Sequence, residues 1–193
     1  MLVSIIFVIA VIKIFHIDYE TYNSGAKYIS YLLTPATVCL AIPLYRQISV
    51  LKEHAKEVFI GILAGVLASM GSILLMSYLF GLTHEQYVTL LPKSITTAIG
   101  MGVSEELGGI QTITVAVIII TGVLGNIIAE AVLKIFRIKE PVAKGLAIGT
   151  ASHAIGTTKA LEIGEIEGAM SSLSVAVAGL MTVISASIFA NMM

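Results

Sequence analysis

The sequence predicts an all-α integral membrane protein whose transmembrane helices surround two opposed, broken polar elements in an inverted-repeat, transporter-like arrangement. Three observations predict it. Of 193 residues, 57% are hydrophobic and only 12% charged, where a soluble domain carries about 25% charged residues. The mean hydropathy is +0.98. Two stretches are nevertheless polar: Leu91 to Gly100 (Leu-Pro-Lys-Ser-Ile-Thr-Thr-Ala-Ile-Gly) and Gly149 to Ala160 (Gly-Thr-Ala-Ser-His-Ala-Ile-Gly-Thr-Thr-Lys-Ala). Each follows a long apolar segment and is too short and too polar for an ordinary span. Such segments survive at membrane depth only where they are packed in protein or line a wet cavity. Two of them in corresponding places point to a transporter's binding site.

Taken in order, Met1 to Phe15 is apolar but short for a span, which needs about 20 residues. It also lacks the basic start and small-residue cleavage site of a secretory signal. Both a thin, tilted helix and a start later than in related chains fit it. His16 to Gly25 reads as a polar turn, its Asn-Ser-Gly being loop chemistry. Ile29 to Leu44 is interrupted by Pro35 and Pro43, which remove backbone donors, so Leu33 to Thr37 reads as a third broken element. Val58 to Leu82, Ile110 to Phe136 and Met170 to Met193 are the spans. Gly61, Gly65, Ala68 and Gly71 give the first of these a small-residue stripe suited to close helix packing. The whole is one polytopic domain, residues 1–193, with a first inverted half at about 29–106 and a second at about 110–193.

Orientation follows from Lys and Arg in short loops. Arg46, Lys52 and Lys56 precede the Val58 span; Lys134, Arg137, Lys139 and Lys144 follow the Ile110 span. Between Gly81 and Leu90, and between Gly102 and Gly109, there is neither Lys nor Arg. With both basic loops cytoplasmic, the Val58 span runs outward and the Ile110 span inward. The Tyr87 to Met101 piece must then enter from outside and return there. Lys144 to Thr158 enters from the cytoplasm, its following loop carries Glu162, Glu165 and Glu167, and the Met170 span runs out.

Lys93 is the candidate anchor for an anionic substrate, because a charge at membrane depth is costly unless paired or wet. A lysine snorkelling to the interface is the competing reading. Ser94, Thr96 and Thr97 follow Pro92, a residue suited to the first helical position, and a half-helix N-terminus there would bind an anion. In the second element Ser152, His153, Gly156 and Thr157 are the candidates, with His153 also able to carry a proton near neutral pH. A neutral histidine satisfied by neighbouring hydroxyls is the alternative. Thr34 and Thr37 flank Pro35 and could add hydroxyls. Glu105 and Glu106 read as a solvated surface able to pair with Lys93.

Enzyme chemistry is not expected. Ser152 and His153 are adjacent, which does not make a dyad, and no nucleophile elbow surrounds the serine. The four histidines are scattered and the single cysteine, Cys39, lies in an apolar segment, so neither a metal site nor a disulfide is implied. No cofactor motif is present, and a net charge of −1 speaks against a nucleic-acid partner.

At these residues the chain resembles the LrgB/CidB family of bacterial membrane proteins. Leu91-Pro-Lys-Ser-Ile-Thr-Thr-Ala-Ile99 and Gly149-Thr-Ala-Ser-His-Ala-Ile-Gly-Thr157 are similar to that family's paired signatures. Tyr19-Glu-Thr-Tyr-Asn-Ser-Gly25 and the run from Leu33 to Tyr45 resemble it too. Two departures stand out: family members have an additional N-terminal apolar segment, and Ala98 replaces the usual proline after the Thr-Thr pair. The resemblance implies a multi-pass protein of the bacterial cell membrane with one of two functions. One is transport of small monocarboxylates: glycolate and glycerate, as in plastid relatives, or pyruvate, to which bacterial relatives are linked. The other is holin/antiholin-like modulation of murein hydrolase activity and autolysis with a small LrgA-like membrane partner. A homo-oligomer fits either. The opposed polar elements favour transport, with the site formed by Lys93, Ser94 and Thr97 facing Ser152 and Thr157.

Overall fold

The computed structural model describes residues 2–193 apart from 33, 34, 36–38 and 40. Thr34 and Thr37, with most of the third broken element, lie outside the described residues. The chain forms two compact units, Met1–Ile42 and Pro43–Met193. All the regular structure among the described residues is helical.

The first unit contains α1 (Leu2–Ile14) and α2 (Tyr19–Ser30). The segment expected as a turn is therefore mostly helix, and Asp18 is the reason. Its carboxylate accepts the Thr21 backbone N–H at 2.9 Å and the Thr21 hydroxyl at 2.7 Å, which satisfies a free donor at the helix start. Those Thr21 hydrogen bonds hold the Asp18 carboxyl below its ordinary pKa. This cap outweighs the loop preference of Asn23, Ser24 and Gly25.

Two short helices follow, α3 (Ala41–Arg46) and α4 (Ile48–Glu53). The second unit is then built from α5 (Ala55–Phe80), α6 (His84–Leu90), α7 (Thr97–Glu106), α8 (Gln111–Ile135), α9 (Pro141–Ile163) and α10 (Glu165–Ala190). Helices α5, α8 and α10 are long and apolar enough to cross a membrane; at 1.5 Å per residue each is about 38 Å long. They match the three spans read from sequence, except that α10 begins at Glu165 rather than near Met170.

Periodicity explains their packing. Along α5 the buried positions are Val58, Ile62, Val66, Met70, Ile73 and Ser77, one stripe at a spacing of three or four. Phe59, Ile60, Leu63 and Leu67 point outward, as they would toward lipid. Helix α5 ends at Gly81 (φ 62°), where the Leu82 N–H returns to the Ser77 carbonyl at 3.0 Å. Such a left-handed C-terminal turn suits glycine.

Both polar stretches reverse the chain. The first is the pair α6–α7. The Tyr87 hydroxyl donates to the Phe189 carbonyl at 2.8 Å, and Leu91, Ser94 and Ile95 lie farther back along α10, near Ala178 and Thr182. Helix α7 then returns. Thr114 Oγ1 reaches the Thr89 carbonyl at 2.9 Å and Ser104 Oγ at 2.7 Å, so Ser104 is again level with Thr89. Pro92 does not begin a helix as expected. It sits in the turn, its carbonyl accepting from the Ile95 N–H at 3.3 Å, and α7 starts five residues later after the extended Thr96 (ψ 148°).

The second reversal lies inside α9, where only His153 has non-helical dihedrals (φ 43°, ψ −145°). Before it, Lys144 pairs with Glu167 at 3.6 Å and Gly149 packs on Ser171. After it, Thr157 Oγ1 bonds Ser171 Oγ at 2.8 Å and Leu161 packs on Gly168. The chain thus climbs along α10 to His153 and comes back. Both turns abut α5 about halfway along: Ser94 Oγ lies 2.9 Å from Ser69 Oγ, and Gly65 makes room for Thr150.

The ends of the unit are distinct. Gly61 meets Leu146 and Arg46 reaches Glu165 at 4.0 Å, so the segments carrying Arg46, Lys52 and Lys56 and those carrying Lys134 to Lys144 lie together. The tyrosine of Tyr78 bonds the Met192 carbonyl at the opposite end.

Candidate functional site

A cavity of about 700 Å³ lies between α5 and the first arm of α9. It is open because the facing side chains are small: Gly61 and Gly65 on α5, Ala147 and Ala151 on α9. At the basic end it is lined by His54, Glu57 and Glu140, and Lys93 and Ser94 lie toward its other end. From His54 to Ser72, both on its wall, is about 27 Å at 1.5 Å per residue, roughly two thirds of the length of α5. Gly61, Ala68, Ser72, Ala147 and Ala151 on its walls are exposed, so this vestibule is a groove along the face of the unit.

Its floor is a short polar chain. Lys93 Nζ donates to Ser94 Oγ at 3.0 Å, and Ser94 Oγ lies 2.9 Å from Ser69 Oγ. An ammonium only donates, so Ser94 accepts from Lys93 and its own hydrogen is free for Ser69. The ammonium has three donors, and Ser94 takes one. Among the described residues no carboxylate lies within ion-pair distance of Lys93. Glu57 and Glu140 line the same cavity toward its basic end.

The remaining candidates are placed elsewhere. Thr96 and Thr97 are half-buried at the start of α7. Ser152 packs on α8, its hydroxyl occupying the space a side chain at Gly125 would need. His153 is 2% exposed, with Nε2 3.0 Å from the Ile118 carbonyl. A carbonyl can only accept, so Nε2 carries the hydrogen. Gly122 leaves room for the ring. Gly156 allows the second arm of α9 to pack on Ser152 and Ile148, and Thr157 faces Ser171 on α10. The structure therefore brings Lys93 and Ser94 to Ser69 and Thr150, not to Ser152 and Thr157. Thr150, Ser69 and Ser72 were missed by sequence reasoning. The signal for Thr150 was present, since it is one helical turn before the reversal; nothing in the small-residue stripe marked Ser69.

Three helices able to cross a membrane and an apolar outer surface, around an apolar core that also holds polar side chains, define an all-helical membrane protein. The chain belongs to the LrgB family: the LrgB-like family model matches residues 1–192. It is similar to the antiholin-like protein LrgB of Bacillus mycoides (strain KBAB4), Bacillus cereus (strain B4264) and Bacillus anthracis (strain CDC 684 / NRRL 3495). Identity is 39% in each case over 182 residues, covering 94% of this chain and 79% of the relative. No solved structure matches the chain.

Proposed function

We propose that this chain is an antiholin-like modulator of murein hydrolase activity in a bacterial cell membrane, working with a small LrgA-like partner. The supporting observation is that relatives 39% identical over 94% of the chain carry the antiholin-like name. The sequence alone favoured a carboxylate carrier, and the comparisons favour the other of its two readings. The test is complementation of a Bacillus strain lacking its own LrgB-like protein. Autolysis rate and extracellular murein hydrolase activity should shift back toward the parent strain. Values unchanged from the deletion strain, with the protein present in the membrane, would sink the reading.

One observation favours a second reading: the vestibule is lined by Lys93, a cation with no ion-pair partner among the described residues. On this reading the chain passes small monocarboxylates, with Lys93 taking the carboxylate and Ser94, Ser69 and Thr150 offering hydroxyls. The two reversals enter the membrane from opposite sides and meet near its midplane, as inverted halves at about 29–106 and 110–193. His153 carries the accompanying proton. Counterflow in liposomes, with glycolate, glycerate, lactate and pyruvate as competitors, is the test. Absence of exchange for all four removes this reading without touching the first. The readings are compatible, because altered carboxylate flux would change autolysis indirectly.

A further inference from the structure

The basic end of the second unit holds another cavity, of about 660 Å³, between the carboxyl end of α8 and both arms of α9. Five cations line it, and three are already engaged. Lys159 lies 2.7 Å from Glu130 and 3.0 Å from Glu162, Lys134 is 3.8 Å from the same Glu130, and Lys144 is 3.6 Å from Glu167. Arg137 and Lys139 have no carboxylate within ion-pair distance among the described residues. Glu140, next in the chain, lines the vestibule instead. The site is thus left with two uncompensated positive charges.

Two further features separate it from an ordinary basic loop. Leu133, Ile138 and Ile163 line the same cavity, so cations and apolar side chains converge on one space at the end of a membrane-length helix. Arg137 also has φ 55°, in the left-handed position that closes α5 with Gly81. The Arg137 N–H bonds the Lys134 carbonyl at 3.2 Å and the Ile138 N–H bonds the Leu133 carbonyl at 2.9 Å. Glycine is the residue that fits this closing turn without strain, yet a long cationic side chain is held there, at the end of α8.

We propose that this cavity binds the phosphodiester headgroup of an anionic phospholipid. Arg137 and Lys139 take the phosphate, the guanidinium offering the paired donors that phosphate oxygens match. Leu133, Ile138 and Ile163 cover the first methylenes of the acyl chains. Basic pockets between helices on the cytoplasmic side are suited to such headgroups. One lipid bound here touches the end of α8 and, through Lys144 and Lys159, both arms of α9, and so ties the second reversal to its neighbour.

The chain has no tryptophan, so a single introduced one reports on its local lipid. Phe136→Trp places the reporter beside the cavity, and Phe80→Trp places a control at the opposite end; both phenylalanines are exposed. Quenching by dibrominated phosphatidylglycerol is compared with quenching by dibrominated phosphatidylcholine in mixed bilayers. At Phe136→Trp the anionic lipid should bind at least about fivefold more strongly, and at Phe80→Trp no preference should appear. Adding Arg137→Gly, which relieves the left-handed backbone and should fold at least as stably, should lower the preference about fivefold, as should Lys139→Gln. An equal preference at both reporters overturns the site, as does a preference unmoved by both substitutions. Displacement of the brominated lipid by millimolar glycerol phosphate, with the preference lost, would overturn the lipid assignment in favour of a free phosphate ester.

Discussion

Lys93 holds a cation halfway through an apolar helical unit with a serine hydroxyl as neighbour and, among the described residues, no acidic partner. At the centre of a bilayer a lysine costs at least about 2.5–3.5 kcal/mol, so the position is expensive unless water or a ligand meets it, and the vestibule supplies the opening. Lys93→Met should leave folding intact, or raise stability in detergent, while weakening carboxylate binding. Losing a charged hydrogen bond costs about 1.5–3 kcal/mol, or roughly ten- to hundredfold in affinity; unchanged affinity returns Lys93 to an interfacial role. His153 separates two roles as cleanly. Its Nε2 hydrogen is used on the Ile118 carbonyl, and its backbone supplies the reversal of α9, which makes it a positioning residue. His153→Gln keeps an amide donor for that carbonyl but cannot titrate. Uptake driven by a pH gradient should collapse in this variant while exchange without a gradient persists, if the ring carries a proton. Survival of gradient-driven uptake would leave only the structural role.

At the scale of elements, the two reversals depend on glycines that let polar turns approach long helices. In a membrane, helices associate through such close packing more than through apolar burial, which lipid offers equally well. A Cβ built at Gly125 would lie 1.7 Å from Ser152 Oγ and 2.6 Å from Ser152 Cβ, but 3.7 Å from Ser152 Cα, an ordinary contact. Gly125→Ala should therefore destabilise by about 1–3 kcal/mol, the range for overpacking, and adding Ser152→Gly should recover most of the loss. Thermal unfolding in detergent reads both, and a double variant no more stable than Gly125→Ala would refute this packing. Both reversals were legible because polar, broken runs stand out in an apolar chain. Lys93 and Ser94 stood out for the same reason, and both line the cavity. The helix over Tyr19–Ser30 was not, because one aspartate cap outweighed three loop formers. The partners of Lys93 were not either. Successive residues of a helix point about 100° apart, so Thr150 and Ala151 face α5 while Ser152 faces α8, and only the packed arrangement says which direction is the cavity.

For the whole molecule, the two groups of basic residues lie at one end, and the vestibule runs from there past the first reversal. The rule that places Lys and Arg in cytoplasmic loops then predicts that this end of the vestibule faces the cytoplasm. This can be read by labelling single cysteines with a membrane-impermeant thiol reagent in a Cys39→Ser background. Gly102→Cys, a position with no neighbouring atoms within 4 Å of an added Cβ, should react from outside. Lys139→Cys should react only from the cytoplasm. Labels at both positions from one side would break the opposed arrangement of the two reversals. Ala151→Cys is the decisive position, because it is exposed and lines the vestibule beside the turn at His153. It lies near the middle of the unit, yet it should react from the cytoplasmic side at a rate close to that of an exposed thiol. Saturating carboxylate should slow that reaction if Lys93 binds it, and should not do so in Lys93→Met. An Ala151→Cys thiol that reacts from outside alone would place the opening at the wrong end. One that ignores every carboxylate, while the protein still alters autolysis, would leave the vestibule outside the antiholin-like function.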